Sequence, residues 1–419
     1  MAGMDGKIER GLTLKYCSLQ GTYWLLAAAG MAFITPILQD KGFGAVQIGW
    51  LSAVKFLSVI VFQSVLAVYC DRHPGRNRLK AVMGVMALVS IFAAYSLYMV
   101  DNSFVKAVFI FIAYGATVNC LSAIVDSLSL QYMNHGRQFF YGASRATGSL
   151  CWAFACVGLG IFADHYGNNA ILLLQMAVTV IFMMVVILMD PVDYTEEELQ
   201  AAGQRRKGNR KKMISEDTEP RVQTTAQVHS AGYILIHYPK YTLYLLVCVF
   251  LSMGYTLNTT FLVNRFTELG GTTGSYGMGE FVLALSEIPA ALFIGKLMKR
   301  FSLEKLAFFS GVFCTLRAVA VTFAPTVVTI ILGQALEIGG LSIYYVASVY
   351  IVKKFLPEGD VVKGVSFINT AMMGVGQSVA AFFSGILLEN FGLRGLMDIS
   401  IVISAISVCF GIAMMKVKE

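Results

Sequence analysis

Residues 169–189 read NAILLLQMAVTVIFMMVVILM, 21 positions without a charge, and the chain then turns abruptly polar with DPVDYTEEELQ at 190–200. As a helix rising about 1.5 Å per residue, the first stretch is roughly 30 Å long, the thickness of a bilayer's hydrocarbon core. Working outward, comparable apolar runs precede it at 15–38, 44–70, 78–99, 104–131 and 138–162. Six more follow at 240–265, 273–298, 304–324, 327–352, 361–388 and 393–416. The polar stretch 190–239 carries the acidic run Glu196, Glu197, Glu198 and the basic run Arg205, Arg206, Lys207, Arg210, Lys211, Lys212, and it reads as a solvated linker between two sets of six spans. The expected units are therefore 1–190, a linker at 191–239, and 240–419.

Composition supports lipid as the solvent. Of 419 residues 57% are hydrophobic and 14% charged, with a mean hydropathy of +0.67, too few charges to cover the surfaces of water-soluble domains. The eight cysteines are scattered through apolar runs without metal-ligand spacing, and all five histidines fall in or beside polar connections. No phosphate-binding GxxxxGK[ST] loop, GxSxG elbow or HExxH helix occurs. These absences argue against an ATP-driven pump and against an enzyme, and no cofactor, metal or nucleic acid is expected.

Orientation follows from the basic residues. With the N-terminus cytoplasmic, one set of connections holds Lys7, Arg10, Lys15, Arg72 to Lys80, Arg137, the linker, Lys296 to Lys305, Lys353 to Lys363, Lys416 and Lys418; the other holds Lys41, Lys106, Arg265 and Arg394. The positive-inside bias then places both termini in the cytoplasm, with the first apolar run a start-transfer helix in a cell membrane. Basic turns follow the second helix of each set, Asp71-Arg72-His73-Pro74-Gly75-Arg76 and Lys299-Arg300-Phe301-Ser302-Leu303-Glu304-Lys305, and two such halves suggest an internal duplication.

Seven charges fall well inside spans: Lys55, Asp126, Arg145, Glu280, Glu287, Arg317 and Glu337. Each costs roughly 2.5 to 3.5 kcal/mol to place there, so the default expectation is a polar cavity, against the plainer reading of ion pairs that lock helices together. By depth, about 8 to 10 Å in, Asp126 and Arg145 can meet across a helical hairpin, and Arg317 and Glu337 form a second candidate pair. Glu280 and Glu287 lie seven apart on one helical face, so both can line one cavity. Trp152 shares the face of Arg145 and suits stacking beneath a solute, though a lone membrane Trp also serves as a packing residue. Asn119 and Asn258 are candidate cavity polars or helix-to-helix hydrogen bonders. Lys55 has no evident partner.

The stretch YGASRATGSLCW, Tyr141 to Trp152, resembles helix five of the lactose permease and related oligosaccharide and nucleoside proton symporters of the major facilitator superfamily, and the resemblance spans essentially the whole chain. It implies an all-α membrane protein with twelve transmembrane helices in two pseudo-symmetric six-helix bundles. Arg145 and Trp152 fall on the group's sugar-binding Arg and stacking Trp, Asp126 matches its acidic partner on helix four, and Met278-Gly279-Glu280 is similar to the helix-eight segment whose Glu contacts sugar. Arg317 matches the Arg linked to proton coupling, and Asp71, Arg72 and Arg76 its gating loop. Ser286-Glu287-Ile288-Pro289 resembles a motif of the wider group. Ala67 and Pro74 depart from the loop pattern, Glu337 stands where the group has His, and Gly340 where the permease has its proton-carrying Glu. The seventh helix also lacks the permease's Asp and the eleventh a mid-span Lys.

The expected function is proton-coupled symport of a small polar solute, a sugar, nucleoside, or small carboxylic or aromatic compound, by a monomer. Substrate residues would be Asp126, Arg145, Trp152, Glu280, Asn119 and Asn258, and coupling residues Glu337, Arg317 and Glu287. An efflux antiporter for amphipathic compounds, or a non-transporting membrane sensor, are the alternatives.

Overall fold

The computed structural model describes residues 9–73, 75–192 and 230–417. The linker runs at 196–198 and 205–212 lie outside the described residues. Among those described there is no strand; the chain is a succession of helices, as a backbone in lipid must be to satisfy its own hydrogen bonds. We label them α1 (Arg10–Met31), α2 (Ile34–Asp40), α3 (Ala45–Arg72), α4 (Arg78–Met99), α5 (Phe104–Tyr114), α6 (Leu121–Asn134), α7 (Tyr141–Tyr166), α8 (Ile171–Leu188) and α9 (Ala231–His237). Then follow α10 (Pro239–Thr260), α11 (Leu262–Glu268), α12 (Thr273–Arg300), α13 (Leu303–Thr322), α14 (Val327–Gln334), α15 (Leu341–Phe355), α16 (Val361–Asn369) and α17 (Ser378–Lys416).

Among the described residues ten helical segments are long and apolar enough to cross a bilayer, and a bent pair, Thr273–Ala290 with Phe293–Arg300, makes eleven. The expected count of twelve is thus not met as twelve separate helices. The reason is the last segment, Lys363–Lys416, whose 54 residues would reach about 80 Å if straight, more than twice a bilayer core. It is broken at Gly392, where φ is +69°, a conformation that glycine adopts without a Cβ penalty. Its two legs pack on different partners. Gly49 of α3 abuts Ala381 and Gly385, whereas Gly254 of α10 abuts Ser400 and Ser404.

The two halves repeat one packing scheme. In the first, α1 lies against α7 and α8, and α4 against α8; in the second, α10 and α13 lie against the second leg of α17. Across the halves α7 packs on α12 and α3 on the first leg of α17. Large apolar side chains such as Phe92, Phe109, Ile187, Val328 and Val402 stand exposed on the outer surface, the belt a lipid-facing protein presents.

Hydrogen bonds stitch the halves together at the face opposite the chain termini. Thr35 Oγ1 donates to the Thr260 carbonyl at 2.8 Å, Gln39 Nε2 to Asn264 Oδ1 at 2.8 Å, and the Tyr276 hydroxyl to the Ala32 carbonyl at 3.0 Å. Asp164 accepts from Thr272 Oγ1 at 2.7 Å and from the Gly274 amide at 3.1 Å. Close approach there needs small residues: a Cβ on Gly160 would stand 2.8 Å from the Thr273 carbonyl oxygen.

At the terminus face the first half is clasped to itself. Arg137 Nη2 donates to Glu9 at 2.5 Å and to Asp190 at 2.8 Å, and Lys15 pairs with the same Asp190. The hydrogen bond from Arg137 holds the Glu9 carboxyl below its ordinary value, and the bond from Lys15 does the same for Asp190.

Candidate functional site

A cavity of about 230 Å³ lies between the halves, beneath the closed face. Its walls include Lys55 and Phe56 of α3, Asn119 before α6, Trp152 of α7, Tyr255 and Thr256 of α10, Tyr276 and Glu280 of α12, and Gln377 before α17. Of the residues singled out from sequence, Asn119, Trp152, Glu280 and Lys55 therefore share one chamber.

Breaks in helical regularity shape it. Gly115–Asn119 is a single π turn between α5 and α6, and Thr370–Gln377 another between α16 and α17; such bulges recur at functional sites because they re-aim side chains and free backbone groups. The first turn can press against α3 because residue 115 is glycine. A Cβ there would collide with the Lys55 carbonyl and stand 2.7 Å from Ser58 Cβ. Asn119 Oδ1 is buried without a hydrogen-bond partner.

The first half's expected pair, Asp126 with Arg145, is not an ion pair in this structure. Asp126, half-buried, instead accepts from Gln20 Nε2 at 3.0 Å and from the Tyr141 hydroxyl at 3.3 Å. Arg145 is exposed and lies over the Trp24 ring, 4.8 Å from its centroid. Neutral donors thus satisfy the acid while an aromatic face attracts the guanidinium. Trp24 is the residue that sequence reading missed. Its indole donates to Gln20 Oε1 at 3.1 Å and meets Trp152 edge to face at 5.7 Å, completing a line from Asp126 through Gln20 and Trp24 to the cavity wall. The available signal was the i, i+4 spacing of Gln20 and Trp24 and the glycine at 148, where a Cβ would overlap the indole.

In the second half Arg317 and Glu337 do meet. Arg317 Nε lies 3.5 Å from Glu337 Oε2, both side chains are 1% exposed, and Arg317 Nε also donates to Gln334 Oε1 at 2.8 Å. A short 3-10 stretch, Ala335–Gly339, interrupts the helix here, and the Leu341 amide donates to Glu337 Oε1 at 2.8 Å. Arg317 Nη2 and Glu337 Oε2 are left without hydrogen-bond partners. This pair does not line the cavity. It stands behind Tyr255, whose ring Arg317 faces at 4.8 Å and which forms part of the cavity wall.

Glu280 and Glu287 do not line the same chamber. Seven residues place them about 10 Å apart along α12, too far for one small cavity, and only Glu280 reaches it. Glu287 sits one turn before the 58° bend of α12, where Pro289 removes an amide and crowds the preceding turn. There it comes within electrostatic reach of Glu337 in its own half and of the exposed Arg145 in the other. Asn258 is also turned from the cavity: its Nδ2 donates to Ser400 Oγ at 3.2 Å, a contact of α10 with the last helix. Of the gating-loop residues, Arg76 is exposed and its carbonyl accepts from the Val192 amide at 3.1 Å, while the side chains of Asp71 and Arg72 lie outside the described residues.

Comparison with known proteins follows the same lines. The chain matches the MFS_1 like family over residues 16–397. It is similar to a maltose permease of Geobacillus stearothermophilus, 22% identical over 345 residues covering 82% of this chain and 79% of that protein. Among solved structures, the nucleoside transporter NupG aligns with a TM-score of 0.74 at 12% identity, over 97% of this chain and 100% of that one. A bacterial homologue of the human lysosomal transporter Spinster, in an inward-facing, unoccupied conformation, aligns at 0.68 and 12%, over 96% of both chains. A family match across nine-tenths of the sequence, with an all-helical fold enclosing a cavity between two halves, establishes that this chain belongs to the MFS_1 like family and is a multi-pass membrane transporter with the major facilitator fold.

Proposed function

We propose that the protein is a proton-coupled symporter of a small polar solute, working by alternating access of its halves, 1–190 and 240–419, joined by the linker 191–239. The observation that carries this reading is the cavity itself: charged, aromatic and amide side chains from both halves surround a volume that lies beneath the hydrogen bonds joining the halves at the face opposite the termini. With termini cytoplasmic in a cell membrane, the conformation is closed to the outside and opens inward. The small volume, below the roughly 300–1,000 Å³ of drug-sized sites, favours a small polar solute, and the working unit of the scheme is a monomer. The maltose permease and the nucleoside transporter among its relatives accord with that class.

In this scheme Trp152 and Trp24 present aromatic surface to the solute, Asn119 and Glu280 offer hydrogen-bond groups, and Arg145 with Asp126 guards the inner approach. Glu337 carries the proton. Its carboxylate is desolvated and only loosely held by Arg317, so taking up a proton from outside and losing it inward changes the charge that opposes closure. Tyr255 conveys this state to the cavity wall. Proteoliposomes with an imposed pH gradient test the scheme. Wild-type protein accumulates its solute uphill, whereas Glu337→Gln exchanges solute without accumulating it; uphill transport by Glu337→Gln would remove Glu337 from the coupling step.

A further inference from the structure

We infer that the transported solute carries a carboxylate or similar small anionic group and that Lys55 is its binding partner. The inference rests on the transporter reading and narrows its substrate class. Lys55 is 5% exposed, lines the cavity, and has no hydrogen bond or ion pair with any described residue. The Phe56 ring lies 5.1 Å from its Nζ, and a cation–π contact offsets only part of the hydration an ammonium gives up on burial. A fold that holds a cation there leaves its counter-charge to be supplied by whatever fills the chamber.

Position sharpens the chemistry. The Gly115 turn locks the α3 backbone at Lys55 itself, so the ammonium is offered from a fixed base rather than from a mobile one. Glu280 enters from the other half and is likewise without an ion-pair partner among the described residues. A solute with its anionic end at Lys55 and neutral hydroxyl or aromatic groups toward Glu280 and Trp152 would bridge both halves and give the Lys55 ammonium the direct partner that Glu280, across the chamber, does not supply. A neutral sugar or nucleoside would leave Lys55 unpaired in the occluded chamber. The cation also discriminates against hydrophobic cations, which it would repel.

The test uses the purified full chain and acid–amide pairs of nearly equal shape: glucuronate with glucuronamide, nicotinate with nicotinamide, and lactate with lactamide. Binding is read as a ligand-dependent rise in unfolding temperature and as dissociation constants by calorimetry. At least one acid should bind roughly ten- to a hundred-fold more tightly than its amide, the range of a charge-assisted hydrogen bond. Lys55→Gln should erase that preference and Lys55→Arg retain much of it, each with an unchanged unfolding temperature in the absence of ligand or a higher one. Amides that bind as well as their acids, no acid that binds, or an acid preference that survives Lys55→Gln would each overturn the assignment. Counterflow of neutral sugars in proteoliposomes separates the two readings: its presence alongside such a result leaves the transporter standing and removes only the anion, while its absence with every member of the panel counts against transport itself.

Discussion

The two halves hold their buried charges in opposite ways. In the first, Asp126 and Arg145 lie on neighbouring helices yet do not pair; a glutamine and a tyrosine satisfy one and a tryptophan face receives the other, and both remain within reach of water. In the second, Arg317 and Glu337 form a dry pair 3.5 Å apart behind Tyr255. In the proposed scheme the contrast separates two tasks. Charges held by neutral, reorientable groups are free to exchange partners with an incoming solute, whereas a sealed pair with orphaned atoms stores electrostatic energy that one proton can release.

Breaking the dry pair should have the largest effect. Arg317→Met strands Glu337 and is expected to destabilise the protein by about 3–5 kcal/mol, seen as a fall in unfolding temperature, while Arg317→Met with Glu337→Leu should recover most of that loss and still fail to accumulate solute. Arg145→Ala should instead leave folding stability within about 1 kcal/mol of wild type, because the side chain is exposed, yet weaken solute binding roughly ten-fold or more by calorimetry. Equal stability losses in the two variants would erase the distinction.

A smaller effect is expected from Gly148→Val. The added carbons displace the Trp24 ring, at a cost of about 1–3 kcal/mol typical of overpacking, and uncover Arg145; tryptophan fluorescence should shift and binding weaken. The smallest effect concerns the terminus-face clasp. Because the folded state lowers the Glu9 and Asp190 carboxyls, their stabilisation is present in full above the ordinary carboxylate range, roughly pH 4, and is lost as pH falls through the lowered values. Unfolding temperature measured against pH should fall more steeply on the acid side for wild type than for Arg137→Gln.

Much of the architecture was legible because lipid imposes it. A bilayer demands long apolar runs, so 169–189 and its counterparts announce themselves, and the seven embedded charges stand out against them. Depth counting brought Arg317 to Glu337 since both lie on adjacent antiparallel helices and no closer partner competes. It failed for Asp126 and Arg145 because α1, distant in sequence, supplies a hydrogen bond to the one from Gln20 and an aromatic face to the other from Trp24. Trp24 looks like an ordinary spanning residue until Gly148 is seen making room for its indole. The fold of 363–416 into two legs was visible as two runs, but its continuity as a helix around Gly392 was not. Glu287 was misplaced for a simpler reason: two helical turns keep a face but not a depth.

The central claim is that Lys55 and Glu280 line a chamber between the halves that is reached from one side at a time, with Arg145 on its inner approach. A single cysteine at position 145, Arg145→Cys in a background without the eight native thiols, can be probed with a membrane-impermeant maleimide on vesicles of each orientation. The account predicts rapid labelling from the terminus face and slow labelling from the far face. Labelling from neither face, with the protein folded and present in the membrane, would contradict it.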